Sequence, residues 1–336
     1  MKATFVTLIG FLAISVAATP LHPHVGVSIV TRADAKQGKD AKQDGKKKDA
    51  GKAGAADKPG AAKNGTAGAV GAAAGGNSTG PLVLPDGRIK KDAKPEDFNV
   101  LASVFKSAVV KGDGLKFSDV ISFPDVEPSL FDKAGNTKAF AINIDDKSIF
   151  VPKGGEPQPN IRRADLLPSI RSQLDDVAVK GVRTLHFSVQ RDAKKPLDET
   201  HDYQLVNLES KDFKFHQFDV RTGAENKKDI AIFGNSKSPT PEKIFSTPFG
   251  DKGFENFAIK LDFDANTMQV FHSTGTEPLK QVTEPVKNDL AGLGEYHFAL
   301  VKNAIGTDPQ PTGINEAIIY GGIFMEDSTD GKVSLQ

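Results

Sequence analysis

From about residue 138 to the C-terminus, apolar and polar residues alternate in short runs, broken every few positions by Gly, Pro, Asn or Asp. Successive side chains of a strand point to opposite faces, so a period of two predicts β-structure. The runs place strands at about 138–144, 147–151, 161–167, 182–190, 202–209, 213–219, 257–263, 267–273, 295–302 and 317–325. Turn residues separate them at 153–155, 194–196, 264–266 and 308–311. Many short strands with frequent turns predict an all-β fold, a jelly-roll β-sandwich of two antiparallel sheets. Helical spacing is scarce. Phe98, Leu101, Phe105 and Val109 suit one short helix, and Leu166 to Val177 another. There is no internal repeat.

The first 80 residues read differently. Lys2 precedes an apolar run from Phe5 to Ala18 that ends in small residues. That is the pattern of a secretory signal peptide over 1–18, too short to span a membrane. Residues 19–80 are expected to be disordered, because from 33 on they are built almost wholly from Ala, Gly, Lys and Asp. Such a stretch buries too little apolar surface to offset the entropy of ordering it. It carries nine lysines against five aspartates over 33–80, and suits a solvated spacer or a tether to an anionic surface. Asn64 and Asn77 begin glycosylation sequons there. The folded domain is expected over 81–336, in a secreted, extracellular monomer.

The formal net charge of the 336 residues is zero. The cationic leader therefore leaves 81–336 net acidic, which argues against a nucleic-acid partner. With no cysteine, the chain has neither a disulfide framework nor a zinc–thiolate site.

Four predicted strands have one apolar and one hydrogen-bonding face. Along 183–190, Leu185, Phe187 and Val189 oppose Thr184, His186, Ser188 and Gln190. Along 203–209, Val206 and Leu208 oppose Tyr203, Asn207 and Glu209. Along 295–301, Tyr296, Phe298 and Leu300 oppose Glu295 and His297. Strand 161–167 places Arg163 and Asp165 together, and the arginine holds that acid ionised. One reading is ordinary solvated faces and a surface ion pair. The other is a cleft that hydrogen-bonds a hydroxylated ligand. By contrast 257–263 alternates Phe257, Ile259, Leu261 and Phe263 with Lys260 and Asp262, as an outer sheet would. Asp165, Glu209, His186 and His297 could also converge on a metal, but their spacing follows no metal motif and none is expected. No cofactor motif is present. Ser188 and Ser210 lack a nucleophile elbow.

In this order, LPDGR at 84–88, NIRRADL at 160–166, NLES at 207–210, NFAIKLDFD at 256–264, HSTG at 272–275, EYH at 295–297 and IIYGGIF at 318–324 resemble the catalytic domain of glycoside hydrolase family 131. The likeness covers about 85–330. It implies a jelly-roll β-glucanase that cleaves β-1,3, β-1,4 or β-1,6 linkages. It also implies that Asp165 and Glu209 are the catalytic carboxylates, with His297 beside them. One carboxyl group protonates the leaving oxygen while the other activates water or attacks the sugar. Asp165 suits the ionised member and Glu209 the acid. Arg163, His186, Gln190, Tyr203 and Asn207 are expected to bind substrate. Two departures stand out: the family has Glu where this chain has Asp165, and Trp where it has Pro85. One methylene less retracts a carboxylate by roughly 1.5 Å, and about 1 Å of misplacement can cost on the order of 100-fold in rate. The alternative is an inactive β-glucan or cell-wall binding protein on the same fold.

Overall fold

The computed structural model describes residues 80–100, 103–106, 111–133, 136–152, 154–168 and 177–336. The leader, and with it the expected signal peptide and disordered segment, lies outside these residues. So do most of the helix expected over 166–177 and residues Leu101 and Val109 of the other. In place of that first helix the chain makes a 3-10 turn at Pro95–Asn99. Phe98 and Phe105 still meet there, buried and stacked with centroids 6.1 Å apart.

The described residues form sixteen strands, β1 to β16 in chain order. One sheet runs β10 (Lys243–Pro248), β9 (Asp229–Phe233), β8 (His216–Gly223), β7 (Asp202–Glu209), β15 (Glu295–Lys302), β5 (Arg162–Leu166). The other runs β13 (Lys280–Gln281), β12 (Thr267–Thr274), β11 (Glu255–Asp262), β6 (Val182–Arg191), β16 (Asn315–Asp327), β4 (Phe140–Asp145), β2 (Ile121–Ser122), with β14 (Val286–Lys287) added on β12. β1 (Ile89–Lys90) and β3 (Thr137–Lys138) pair by themselves. Every strand pairing is antiparallel. Two antiparallel sheets face to face form the expected β-sandwich. Among the described residues no helix is long and apolar enough to cross a membrane.

Alternation explains the core between the sheets. Leu185, Phe187 and Val189 of β6 meet Tyr296, Phe298 and Leu300 of β15 and Val206 and Leu208 of β7 in one buried cluster. β16 reads as a continuous apolar run because both of its faces are covered. Ile318, Tyr320, Ile323 and Met325 enter the inter-sheet core. Phe324 packs outward with Phe131 and Phe271, and Ala317 and Ile319 with Phe254.

Two interruptions break the alternation and reassign faces. On β7, Gln204 pairs with Arg221 and Val206 with Val220, so Leu205 is an extra residue. A bulge of this kind reverses the phase of everything on one side of it. Tyr203 was expected to share a face with Asn207 and Glu209. It turns into the core instead, fully buried, and its hydroxyl donates to Glu316 at 2.7 Å. On β8, three residues step from His216 to Asp219 while β7 steps two, from Glu209 to Asn207. Residues three apart then share a face, which strict alternation forbids.

β15 is also out of step with β7 between Phe298 and Val301. Tyr320 reaches across the core to these two irregular points. Its hydroxyl lies 2.7 Å from the carbonyl oxygens of both Leu205 and Ala299. Bulged backbone loses ladder partners, and a buried unpaired carbonyl is costly. Tyr320→Phe keeps the ring and removes that donor, so it should destabilise the fold by about 1–3 kcal/mol. A urea midpoint equal to that of the wild type would contradict this role.

Candidate active site

The outer face of the six-stranded sheet carries a chain of ionisable groups across its β7–β15–β5 end. β15 lies between the other two, with Ala299 opposite Asp165 and His297 opposite Asn207. Asp165 and Glu209 therefore flank His297 diagonally, each two positions along a neighbouring strand. Long side chains bridge that distance. His297 Nδ1 donates to Asp165 Oδ2 at 3.0 Å, and His297 Nε2 donates to Glu209 Oε2 at 3.3 Å. Arg163 grips the far side of Asp165, with Nε donating to Oδ1 at 3.0 Å and Nη2 to Oδ2. The Arg163 guanidinium lies over the Phe150 ring, 5.5 Å from its centroid.

Exposure grades along this chain. The Asp165 side chain has no exposed surface and that of His297 only 4%, whereas Glu209 keeps 21%. Burial alone raises a carboxyl pKa and lowers that of an imidazole. Here the partners win. Burial pushes Asp165 up, but the charge of Arg163 and hydrogen bonds from His297 and Arg163 bring it down to about 2. Burial pushes His297 down, but hydrogen bonds to Asp165 and Glu209 raise it to about 9. Glu209 is also lowered: its burial is outweighed by the hydrogen bond and charge of His297. At neutral pH the cluster is two carboxylates sharing one imidazolium.

A second dyad sits on the next strand. His216 Nδ1 donates to Asp219 Oδ1 at 2.6 Å, and Arg221 Nη2 donates to Asp219 Oδ2 at 3.0 Å. Asp219 is buried, yet the charges of His216 and Arg221 overcome that burial and hold it well below the usual carboxylate range. Asp219 pairs with Asn207, and His216 with Glu209. Asn207 is buried between these groups, with its Oδ1 unpartnered among the described residues.

Beside Glu209 opens a shallow pocket of about 120 Å³, lined by Glu209, Ser210, Phe213, Leu293, Gly294 and Glu295 among others. Gly294 is required here. Its φ is +105°, and a Cβ would stand 1.8 Å from the Glu209 carbonyl oxygen. Glu295 faces the pocket and is ion-paired with Lys106.

Of the eight side chains expected at the site, Asp165, Glu209, His297, Arg163 and Asn207 come together. Tyr203 is in the core. His186 and Gln190 are on β6, which belongs to the opposite sheet. Alternation gave β6 a polar row but could not say which sheet owned it. His186 is fully buried on the far face, stacked 4.2 Å from Phe324 with Nε2 2.8 Å from Glu326. The metal set that included it does not converge. Glu295, expected on the same polar row as His297, lines the pocket. His216 and Asp219 were not expected at the site, because the β8 bulge hid them.

The fold is an antiparallel β-sandwich in which two carboxylates and an imidazole meet on one outer face. Residues 83–331 match the sequence model described as the glycoside hydrolase 131 catalytic N-terminal domain, and the chain belongs to that family. Two solved structures share the fold. The catalytic domain of a GH131 β-glucanase from Podospora anserina is 18% identical, with 74% of this chain and 96% of that one covered at a TM-score of 0.59. The catalytic domain of the glycoside hydrolase family 131 protein from Coprinopsis cinerea is 20% identical, covering 76% and 98% at 0.59. Comparison with curated proteins finds no match.

The cluster fixes a pH signature. Asp165, with its lowered pKa, contributes stability that is full above the ordinary carboxylate range and lost as pH falls through about 2. His297, with its raised pKa, contributes stability that is full below about 6.5 and lost as pH rises through about 9. The stability gap between wild type and His297→Gln should therefore narrow by on the order of 3 kcal/mol from the lower to the upper end of that window. Urea unfolding across a pH series measures this, and a constant gap would contradict the assignment.

Proposed function

We propose that this protein is a secreted hydrolase of β-linked glucans that works through the carboxylates Asp165 and Glu209. The observation carrying this reading is the single imidazole, His297, hydrogen-bonded to both. Family membership and the β-glucanase among the similar structures supply the substrate class. Glycoside cleavage needs a proton for the leaving oxygen and an ionised carboxylate nearby. In the free protein the proton resides on His297 Nε2, one hydrogen bond from Glu209. A sugar settling on Glu209 strips water from its carboxylate and raises its proton affinity. That draws the shared proton onto the most exposed member of the cluster, the one able to face a glycosidic oxygen. Asp165 stays ionised against Arg163 and orients His297. Having given up its proton, His297 Nε2 takes one from the attacking water as that water's oxygen bonds to the anomeric carbon and the protonated glucan oxygen leaves.

A second reading is a catalytically silent glucan-binding protein. It is favoured by the complete burial of Asp165, both of whose oxygens are engaged by Arg163 and His297. An aspartate has less reach than the glutamate that the family resemblance puts there.

Reducing-sugar release by the full chain from soluble β-1,3-, β-1,4- and β-1,6-glucans separates the two readings. Glu209→Gln should lower release at least ~100-fold while leaving the fold intact; undiminished release would remove Glu209 from the chemistry. Asp165→Glu should increase release by extending the carboxylate toward the surface. Binding without release by the wild type would favour the silent protein.

A further inference from the structure

The pocket beside Glu209 has an unusual wall. The chain has no Trp and three Tyr, and all three Tyr are buried in the core. Among the described residues no other Phe or Tyr is as exposed as Phe213, at 37%. Leu293, at 41%, lines the same pocket. Both residues have positive φ, Phe213 at +58° and Leu293 at +52°. Bulky side chains seldom adopt this region, and it persists only where the surroundings over-determine it.

The surroundings do so on both sides. Phe213 sits in the turn joining β7 to β8, organised by the buried Ser210. Ser210 Oγ accepts the backbone N–H groups of Lys214 and Phe215 at 3.1 and 3.2 Å, and the Ser210 carbonyl accepts that of Phe213 at 2.8 Å. Leu293 precedes β15 and is braced by the buried Gln217. The Gln217 amide donates to the Leu293 carbonyl, and its Oε1 accepts the Gly292 N–H at 3.0 Å. The two loops are tied together, with the Lys211 N–H donating to the Gly292 carbonyl at 3.0 Å. Strained backbone thus presents two apolar side chains to water in the pocket that an ionised carboxylate also lines. Neither contributes to the core.

We propose that Phe213 and Leu293 form an apolar clamp for a pyranose ring at the subsite next to Glu209, with Phe213 as the stacking platform. A β-linked glucose ring suits it. Its equatorial hydroxyls point around the rim toward Glu209 and Glu295, while its axial C–H groups form apolar faces for a phenyl ring and an isobutyl group. The clamp rests on the glucan reading above. It assigns the platform to a phenylalanine in a protein that has no tryptophan.

The test is retention of the full chain in native gels containing soluble β-1,3-, β-1,4- or β-1,6-glucan, alongside KM and kcat for whichever glucan is cleaved. Phe213→Gly removes the ring and relieves the positive φ, so its melting temperature should equal or exceed that of the wild type. Its affinity should fall about tenfold, appearing in KM with kcat retained, because a stacking platform binds substrate and transition state alike. Phe213→Tyr should keep wild-type retention. Wild-type hydrolysis or retention with Phe213→Gly unchanged would overturn the clamp and leave the glucan reading standing. Absence of both for every glucan in the wild type would overturn the glucan reading and the clamp with it.

Discussion

His297 is the group on which the site's electrostatics depend. Without a cation between them, two carboxylates this deeply packed on one sheet face would repel each other and bear an uncompensated cost of burial. The imidazole faces both at once because β15 lies between β5 and β7, and because its two nitrogens donate in opposite directions. Burial and pairing pull its protonation in opposite directions, and pairing prevails. The cluster therefore stores one proton beside its most exposed acid. Arg163 adds a second cation behind Asp165 and keeps that carboxylate charged.

The sandwich supplies what this cluster needs. Phe298 and Leu300 of β15 lock into the core between the sheets, which leaves His297 little freedom to swing. Tyr320 comes from the opposite sheet and holds the carbonyl oxygens of Leu205 and Ala299, where β7 and β15 leave regular register. The irregularity at Leu205 sends Tyr203 inward to the buried Lys302–Glu316 pair, and the separate bulge on β8 brings His216 alongside Asp219.

Much of this was legible in the chain. Alternation located most strands and put Asp165, Asn207, Glu209 and His297 on faces away from the core. Family resemblance singled out Asp165, Glu209 and His297 from the 43 acids and seven histidines of the chain. What failed did so for definite reasons. Alternation along β6 separates its faces but not which sheet it joins, and so His186 and Gln190 were grouped with residues on the other side of the sandwich. A one-residue bulge at Leu205 inverted Tyr203. The strands at 229–233 and 243–248 were missed, one being a short apolar run and the other largely exposed.

The most direct test of the central claim is the protonation of His297 in the full-length protein, followed by NMR of its ring nitrogens between pH 5 and 10. A ring that stays doubly protonated at pH 7.5 and titrates near 9 is what a shared imidazolium requires. A neutral ring already at pH 7, titrating near the ordinary histidine value, would mean that the proton is not held between Asp165 and Glu209, and the account of the site would fail.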